Sequence, residues 1–360
     1  MQTFAIMDVE VKEESGISVV ATIKDVAKLA NVAPSTVSRV IADNPRISEK
    51  TKKRVREVMK EIGYHPNMIA RSLVNQTTNV IGLVMPGSAD VFFQNPFFPN
   101  VLRGLSESAH KKKYAIQMTT GQTEDEILED VMQMVHGRRV DGLIILQAKR
   151  NDKIIEFLLQ QKFPFVVIGK PAEYIDEISH VDNDNIKAMK EATEYLLDLG
   201  HKQIAFIGGK ADLIVTIDRL QGYKTALAHA SIEMNKDFIV HEEFLLEGGK
   251  EAISGLLKLS SPPTALVVAD DLMALGVLNT LNDLGVSVPN DMSIISFNNV
   301  LLAEMANPPL SSVDINIFDL GYEAAKNVIL QIENKKEPIK RIIIPHSIVS
   351  RHSCSPIEKE

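Results

Sequence analysis

The chain contains one cysteine, Cys354, among 360 residues. A single thiol closes no disulfide within the chain, a cysteine-based metal cluster is not expected, and the composition suits a reducing compartment. The 9 histidines show no metal-ligand spacing, so neither a metal nor a cofactor is expected. The usual hydrolytic motifs, GxSxG and HExxH, are missing as well. Gly208-Gly209-Lys210 follows an apolar run but fits neither GxGxxG nor GxxxxGK[ST]. The pattern does not predict an enzyme. No apolar run reaches the roughly 18 residues of a membrane span. The opening MQTFAIMDVEVKEESG has neither the basic start nor the apolar core of a secretory signal. These absences predict a cytoplasmic protein with no membrane contact, residues 1–20 being a flexible extension.

Charge is present but unevenly placed. The net charge is -8, which is unpromising for a partner of nucleic acid until the chain is divided. Residues 21–80 hold 11 Lys/Arg against 5 Asp/Glu, and residues 81–360 hold 27 against 38. A basic head on an acidic body predicts that the head alone meets phosphates.

Within the head, Thr22 followed by Asp25 reads as a capping box. Val26, Ala27, Leu29 and Ala30 give the first helix an apolar face, and Asn31-Val32 a turn. Pro34 suits the first position of a second helix, whose Val37, Val40 and Ile41 recur at inward spacing. That leaves Pro34, Ser35, Thr36, Ser38 and Arg39 outside. Ser48 caps a third helix with an exposed face of Lys50, Lys52, Lys53, Arg54, Arg56 and Lys60. Three short helices with small polar residues and an arginine on the second fit a helix-turn-helix, since small side chains admit the helix to the major groove and an arginine can fork to guanine.

The stretch from Thr22 through HPNMIARSL to Leu73 resembles the N-terminus of the LacI/GalR family of repressors. By that resemblance Pro34, Ser35 and Arg39 occupy base-reading positions, while Thr36 and Ser38 serve phosphates or groove walls. Ala33 departs from the serine common at its position, which removes a helix cap. Residues Pro66 to Val74 resemble the family's hinge helix, which forms on operator DNA against its copy from a second subunit. Leu73 matches the leucine pushed into the minor groove, with Asn67 and Ala70 on the same face. The implied partners are pseudo-palindromic double-stranded operator DNA and a second copy of the chain, as a homodimer.

The body alternates short apolar runs with amphipathic stretches. Strands are predicted at 80–85, 115–119, 142–146, 165–168, 204–207, 265–268 and 294–297, and helices at 99–112, 124–136, 152–161, 186–199, 219–230, 249–259, 273–284 and 318–333. This rhythm predicts α/β architecture with doubly wound parallel sheets, and it restarts near Leu199-Gly200-His201. The whole resembles the two-lobe periplasmic-binding-protein-like core of the same family behind an all-α helix-turn-helix domain. The domains so implied are 21–64 for DNA binding, 65–78 for hinge and linker, 79–355 for effector binding and dimerisation, and a tail at 356–360. Crossings between lobes are expected near Ser179–Asn183, Pro308–Asp314 and Glu337–Ile342.

Ligands of such folds bind where strand carboxyl ends converge. The resemblance places Phe97 and Phe98 of Asn95-Pro96-Phe97-Phe98, Asp182, Arg219, Asp270 and Asn298 there, with Asp270-Asp271 as a ligand-facing pair. Many members carry an acid where this chain has Asn298. Mixed donors and acceptors suit a neutral polyhydroxylated ligand, and the stretches DNPRISEKTKKRV and NPPLSSVDI are similar to the branch that governs maltose operons in low-GC Gram-positive bacteria. The implied function is a transcriptional repressor controlled by a small saccharide, maltose or a relative of it. One alternative is a catabolite-control regulator of the same family with a phosphorylated carrier protein as co-repressor. Another, of a different class, is a sugar-binding receptor without a regulatory role, against which the basic head argues.

Overall fold

The computed structural model describes residues 21–65, 77–87 and 89–357. The chain divides into two compact units, Met1–Thr77 and Thr78–Glu360.

In the first unit, helices α1 (Ile23–Leu29), α2 (Pro34–Ile41) and α3 (Glu49–Glu61) enclose Val26, Ala27, Ala30, Val37, Val40 and Val55. Thr22 donates to the Asp25 carboxylate from its backbone N–H at 2.9 Å and its hydroxyl at 2.7 Å, fixing the entry to α1. Asn31 takes a φ of 50°, turning the chain sharply into α2. Pro34 opens α2, and Ala33 supplies no side-chain cap.

The second unit consists of two lobes of the same topology. Lobe 1 is built on β1 (Val80–Val84), β2 (Ala115–Met118), β3 (Gly142–Ile145), β4 (Phe165–Ile168), β5 (His180–Asn183) and β11 (Arg341–Ile344), in the order β2-β1-β3-β4-β5-β11. Lobe 2 repeats this with β6 (Ile204–Gly208), β7 (Ile239–His241), β8 (Ala265–Val268), β9 (Ser293–Phe297), β10 (Ser311–Asp314) and β12 (Ser347–Val349), ordered β7-β6-β8-β9-β10-β12. Neighbouring strands run parallel except β10 and β12. In both sheets the order reverses beside the first strand, which opens a crevice at the strand carboxyl ends.

Helices α4 (Ala89–Gln94), α5 (Phe97–Lys111), α6 (Glu124–His136), α7 (Lys153–Gln161) and α13 (Ile317–Glu333) cover lobe 1. Helices α8 (Asn185–Asp198), α9 (Ile214–His229), α10 (Leu246–Leu256), α11 (Asp271–Asp283) and α12 (Leu301–Met305) belong to lobe 2. Helix α13 returns to lobe 1 and lies flush on α5, because a Cβ at Gly104 would collide with the Phe318 carbonyl and one at Gly321 with the Val101 carbonyl.

The crossings fall a few residues downstream of the expected places, at Asn183–Asn185, Asp314–Ile317 and Pro345–His346. The segments expected to cross are instead strands β5, β10 and the start of β11. Their polar sequences, HVDN and SSVD, hid them: His180, Asp182, Asn183, Ser311 and Ser312 are all buried. Polar groups survive there because they are hydrogen-bonded. Asn183, for one, donates from Nδ2 to the carbonyls of Ile315 and Ile344, both at 2.9 Å, tying the three crossings to one another. Helix α9 also begins five positions earlier than expected. Its β-branched first turn, Ile214 to Ile217, reads poorly as helix, but Leu213 and Ile214 are pinned by lobe 1, Leu213 lying in antiparallel register with Lys149 and Ile214 N–H donating to the Ala148 carbonyl at 3.2 Å.

Candidate effector cleft and nucleic-acid interface

The carboxyl ends of β3, β4 and β5 face those of β8 and β9 across a cleft of about 720 Å³, counting the part open to solvent. Phe97, Phe98, Asp182, Arg219, Asp270 and Asn298, six residues spread over two hundred positions of sequence, all line it. Sequence reasoning did not single out Asn95, Lys170, Asn185 and Phe244, which line it too. Asn95 was visible as the head of its Asn-Pro-Phe-Phe segment. Lys170 carries no local signal, since its partner Asp218 is distant in sequence, and Asn185 reads as an ordinary helix-start residue until the fold brings Arg219 to it.

Asp270 caps α11, its Oδ1 accepting from the N–H groups of Leu272 at 2.8 Å and Met273 at 3.2 Å. Its Oδ2 accepts from Nδ2 of Asn298 at 2.8 Å and of Asn95 at 3.0 Å. Capping and cleft-lining are therefore both true of this residue. Asn298 reaches it from a backbone φ of 104°, a conformation that costs a non-glycine residue roughly 1–3 kcal/mol and that clusters at functional sites. Burial pushes the Asp270 carboxyl up to about 6.

Asp271 does not share the cleft. Successive helical residues point about 100° apart, and Asp271 turns inward, accepting from the hydroxyls of Ser296 and Ser312 and from Val300 N–H. The expectation of a ligand-facing Asp270-Asp271 pair is corrected in that only Asp270 lines the cleft.

Arg219 is buried at 4% exposure, and among the described residues its guanidinium is held by neutral groups. Nε donates to Oδ1 of Asn185 at 3.0 Å, Nη1 donates to the Ala269 carbonyl, and the guanidinium carbon lies 4.3 Å from the Phe297 ring centroid. Burial lowers its pKa to about 10, against the pull of Asp270, Asp182 and Asp271. A buried cation held without a carboxylate partner retains N–H groups that seek acceptors. Asn185 also donates from Nδ2 to Asp182 at 2.9 Å, so one amide separates the guanidinium from that carboxyl. The aromatic pair divides: Phe98 stacks on Phe92 at 5.2 Å within the core, whereas Phe97 is half-buried at the cleft and meets Phe98 edge-on.

Burial also pushes the Asp182 carboxyl up to about 7, far above its ordinary value of 3.8. In that window the folded protein binds a proton that the unfolded chain has released, so stability falls as pH rises through it. Asp182→Asn removes the titration while keeping an acceptor for Asn185. The melting temperature of the variant relative to the native protein is expected to climb between pH 5 and pH 7.5, as read by calorimetry. A constant difference across that range would show that Asp182 does not hold its proton.

On the head, Pro34, Ser35, Ser38 and Arg39 are exposed on α2 and Thr36 is half-buried, while Val37 and Val40 face the core. Ser35, Ser38 and Arg39 fall at spacings of three and four and share a face. Lys52, expected on the exposed basic face, is instead buried and paired with Glu49 at 2.9 Å and Asp43 at 3.1 Å. Asp43 lies in the breaker before α3 with a φ of 52°, so only the folded turn brings it to Lys52. Arg56 also pairs with Asp43, at 2.6 Å. The cations exposed on α3 are Lys50, Lys53, Arg54, Arg56 and Lys60, of which Arg56 is the one tied to Asp43. Asn67, Ala70 and Leu73 lie outside the described residues.

A three-helix head bearing a serine- and arginine-faced second helix, with a two-lobe core whose cleft gathers amides, carboxyls and a buried guanidinium, defines a DNA-binding regulator with an effector domain. Comparisons with known proteins agree. Residues 22–67 match the bacterial regulatory proteins of the lacI family, and residues 193–354 match the periplasmic binding protein-like domain. The chain is 45% identical over 338 residues to the HTH-type transcriptional regulator MalR of Streptococcus pneumoniae, covering 92% of this chain and 99% of that protein. A LacI-type transcriptional regulator from Bacillus cereus subsp. cytotoxis NVH 391-98 is 53% identical, with a TM-score of 0.76 over 77% of this chain and 98% of its own. The transcriptional regulator CelR in complex with cellobiose is 30% identical, with a TM-score of 0.74 over 92% of this chain and 99% of its own. The chain belongs to the LacI family of bacterial regulatory proteins and is a DNA-binding transcriptional regulator.

Proposed function

We propose that this regulator is a cytoplasmic repressor that binds a pseudo-palindromic operator as a homodimer and takes maltose or a closely related saccharide in its cleft. The observation that carries this reading is the buried Arg219, held by neutral partners in a cleft lined with Asp182, Asp270, Asn298 and Phe97, in a chain 45% identical along nearly its whole length to a regulator named MalR. A guanidinium fork can serve two neighbouring hydroxyls, carboxyls and amides can accept and donate to others, and Phe97 offers an apolar face for a sugar ring. In this reading Pro34, Ser35 and Arg39 read bases, and Thr36 and Ser38 serve phosphates or groove walls.

Operator binding is to be titrated with and without maltose, maltotriose, cellobiose and glucose. An α-glucoside of the maltose series is expected to shift operator affinity by about 5- to 150-fold, the range of ordinary allosteric coupling. A response only to a phosphorylated carrier protein, or none to any of these sugars, overturns the effector assignment.

A further inference from the structure

Among the described residues and away from the crossings, hydrogen bonds and an ion pair join the two lobes around the cleft at three places. Asn95 of lobe 1 donates to Asp270 at 3.0 Å and to the Phe244 carbonyl at 3.1 Å. The segment 148–150 meets 212–214 through two backbone hydrogen bonds, Ile214 N–H to the Ala148 carbonyl and Arg150 N–H to the Asp212 carbonyl, both at 3.2 Å, with Lys149 and Leu213 in antiparallel register. The third contact is ionic. Lys170 Nζ lies 2.8 Å from Asp218 Oδ2.

We infer that Lys170 and Asp218 form a latch across the mouth of the cleft, which holds the lobes closed and thereby sets the affinity for the effector. Three observations support this. Among the described residues no other carboxylate–ammonium pair joins the body of lobe 1 to that of lobe 2. The pair is half-sheltered, the Asp218 side chain being 13% exposed and that of Lys170 37%, so it is screened less than a free surface pair. Lastly, its position is mechanical. Lys170 follows Gly169, whose φ of 101° is open to glycine at little cost and turns the chain as it leaves β4. Asp218 is one helical turn beyond Ile214, so lobe 1 grips α9 at two successive turns, beside Arg219. Parting the lobes must break this pair and free the helix that carries the buried guanidinium.

The contacts provide a readout that needs no sugar. The N–H groups in the first turn of a helix have no acceptor within it, so the Ile214 amide depends on Ala148 of the other lobe. Its exchange with solvent, like that of Arg150, reports opening of the lobes. Hydrogen exchange is measured at both amides in sugar-free protein for Lys170→Ala, Asp218→Ala, Lys170→Arg and the reversed pair Lys170→Asp with Asp218→Lys. The single alanine variants are expected to exchange about 3- to 10-fold faster, Lys170→Arg to match the native protein, and the reversed pair to recover most of the loss. If closure is the binding-competent state, apparent maltose affinity scales with the closed population, so calorimetry is expected to show a loss no larger than the exchange factor, and one that approaches it only where a variant's lobes stand mostly open. Exchange unchanged within twofold in the single variants, or a reversed pair no slower than they are, overturns the latch. The affinity arm rests on the proposed effector. Failure of the native protein to bind maltose would overturn that assignment, whereas the exchange measurements decide the latch by themselves.

Discussion

Arg219→Ala is expected to leave a repressor that still binds operator but no longer answers to its effector. The guanidinium is buried over the Phe297 ring and anchored through Asn185 and the Ala269 carbonyl. Two hydrogen bonds from it to ligand hydroxyls would contribute about 1.5–3 kcal/mol each. At roughly 1.4 kcal/mol per tenfold, their loss weakens the effector by about 100-fold or more. Lysine does not substitute, since a point ammonium cannot fork. The head is a separate compact unit, so operator affinity in sugar-free buffer should stay close to native. Calorimetric titration with maltose and operator retardation assays check the two halves. A variant that is folded and responds at the native sugar concentration would remove Arg219 from the binding site, and with it the principal support for a polyol ligand.

Arg39→Ala carries the second large effect, on the DNA side. Arg39 is exposed on the face of α2 that also presents Ser35 and Ser38, and a bidentate contact to guanine is worth about 1–3 kcal/mol of discrimination. A symmetric dimer makes it once per half-site, so the loss on the specific operator should be about 30-fold or more, with relaxed preference at one base pair in each half. Lys50→Ala, which removes an exposed cation of α3, is expected to weaken specific and random DNA alike and to flatten the salt dependence. Competition binding on a set of single-base operator variants separates the two behaviours. Equal loss on operator and random sequence for Arg39→Ala would make it a phosphate contact.

Lys52 shows how far sequence reasoning reaches in this head. Helical periodicity and Ser48 correctly place α3, and a lysine on a basic helix reads as solvated. Its burial depends on Asp43, nine positions earlier in a breaker, being folded back to within 3.1 Å. A turn with positive φ decides that, and composition does not register it. The strands β5 and β10 failed for a related reason. Their polar residues contradict the apolar run that marks a buried strand, and they become permissible only because partners from other crossings, such as the Ile315 and Ile344 carbonyls for Asn183, satisfy them.

The sequence by itself determined the elements and their class. Alternating apolar runs and amphipathic helices specify paired α/β lobes, and the caps, breakers and basic balance of residues 21–80 specify the helix-turn-helix head. These are local properties, set by the periodicity of burial and by backbone preferences over a few residues. The tertiary structure decided what the polar residues do. It brings Asp182, Asn185, Arg219, Asp270 and Asn298 into one cleft, turns Asp271 away from it to bind Ser296 and Ser312, and joins Lys170 to Asp218 across forty-eight positions of chain. A buried carboxyl, amide or guanidinium is stable only with its partners in place, and those partners come from strands and crossings far apart in sequence, so its role is fixed by assembly and by no local pattern.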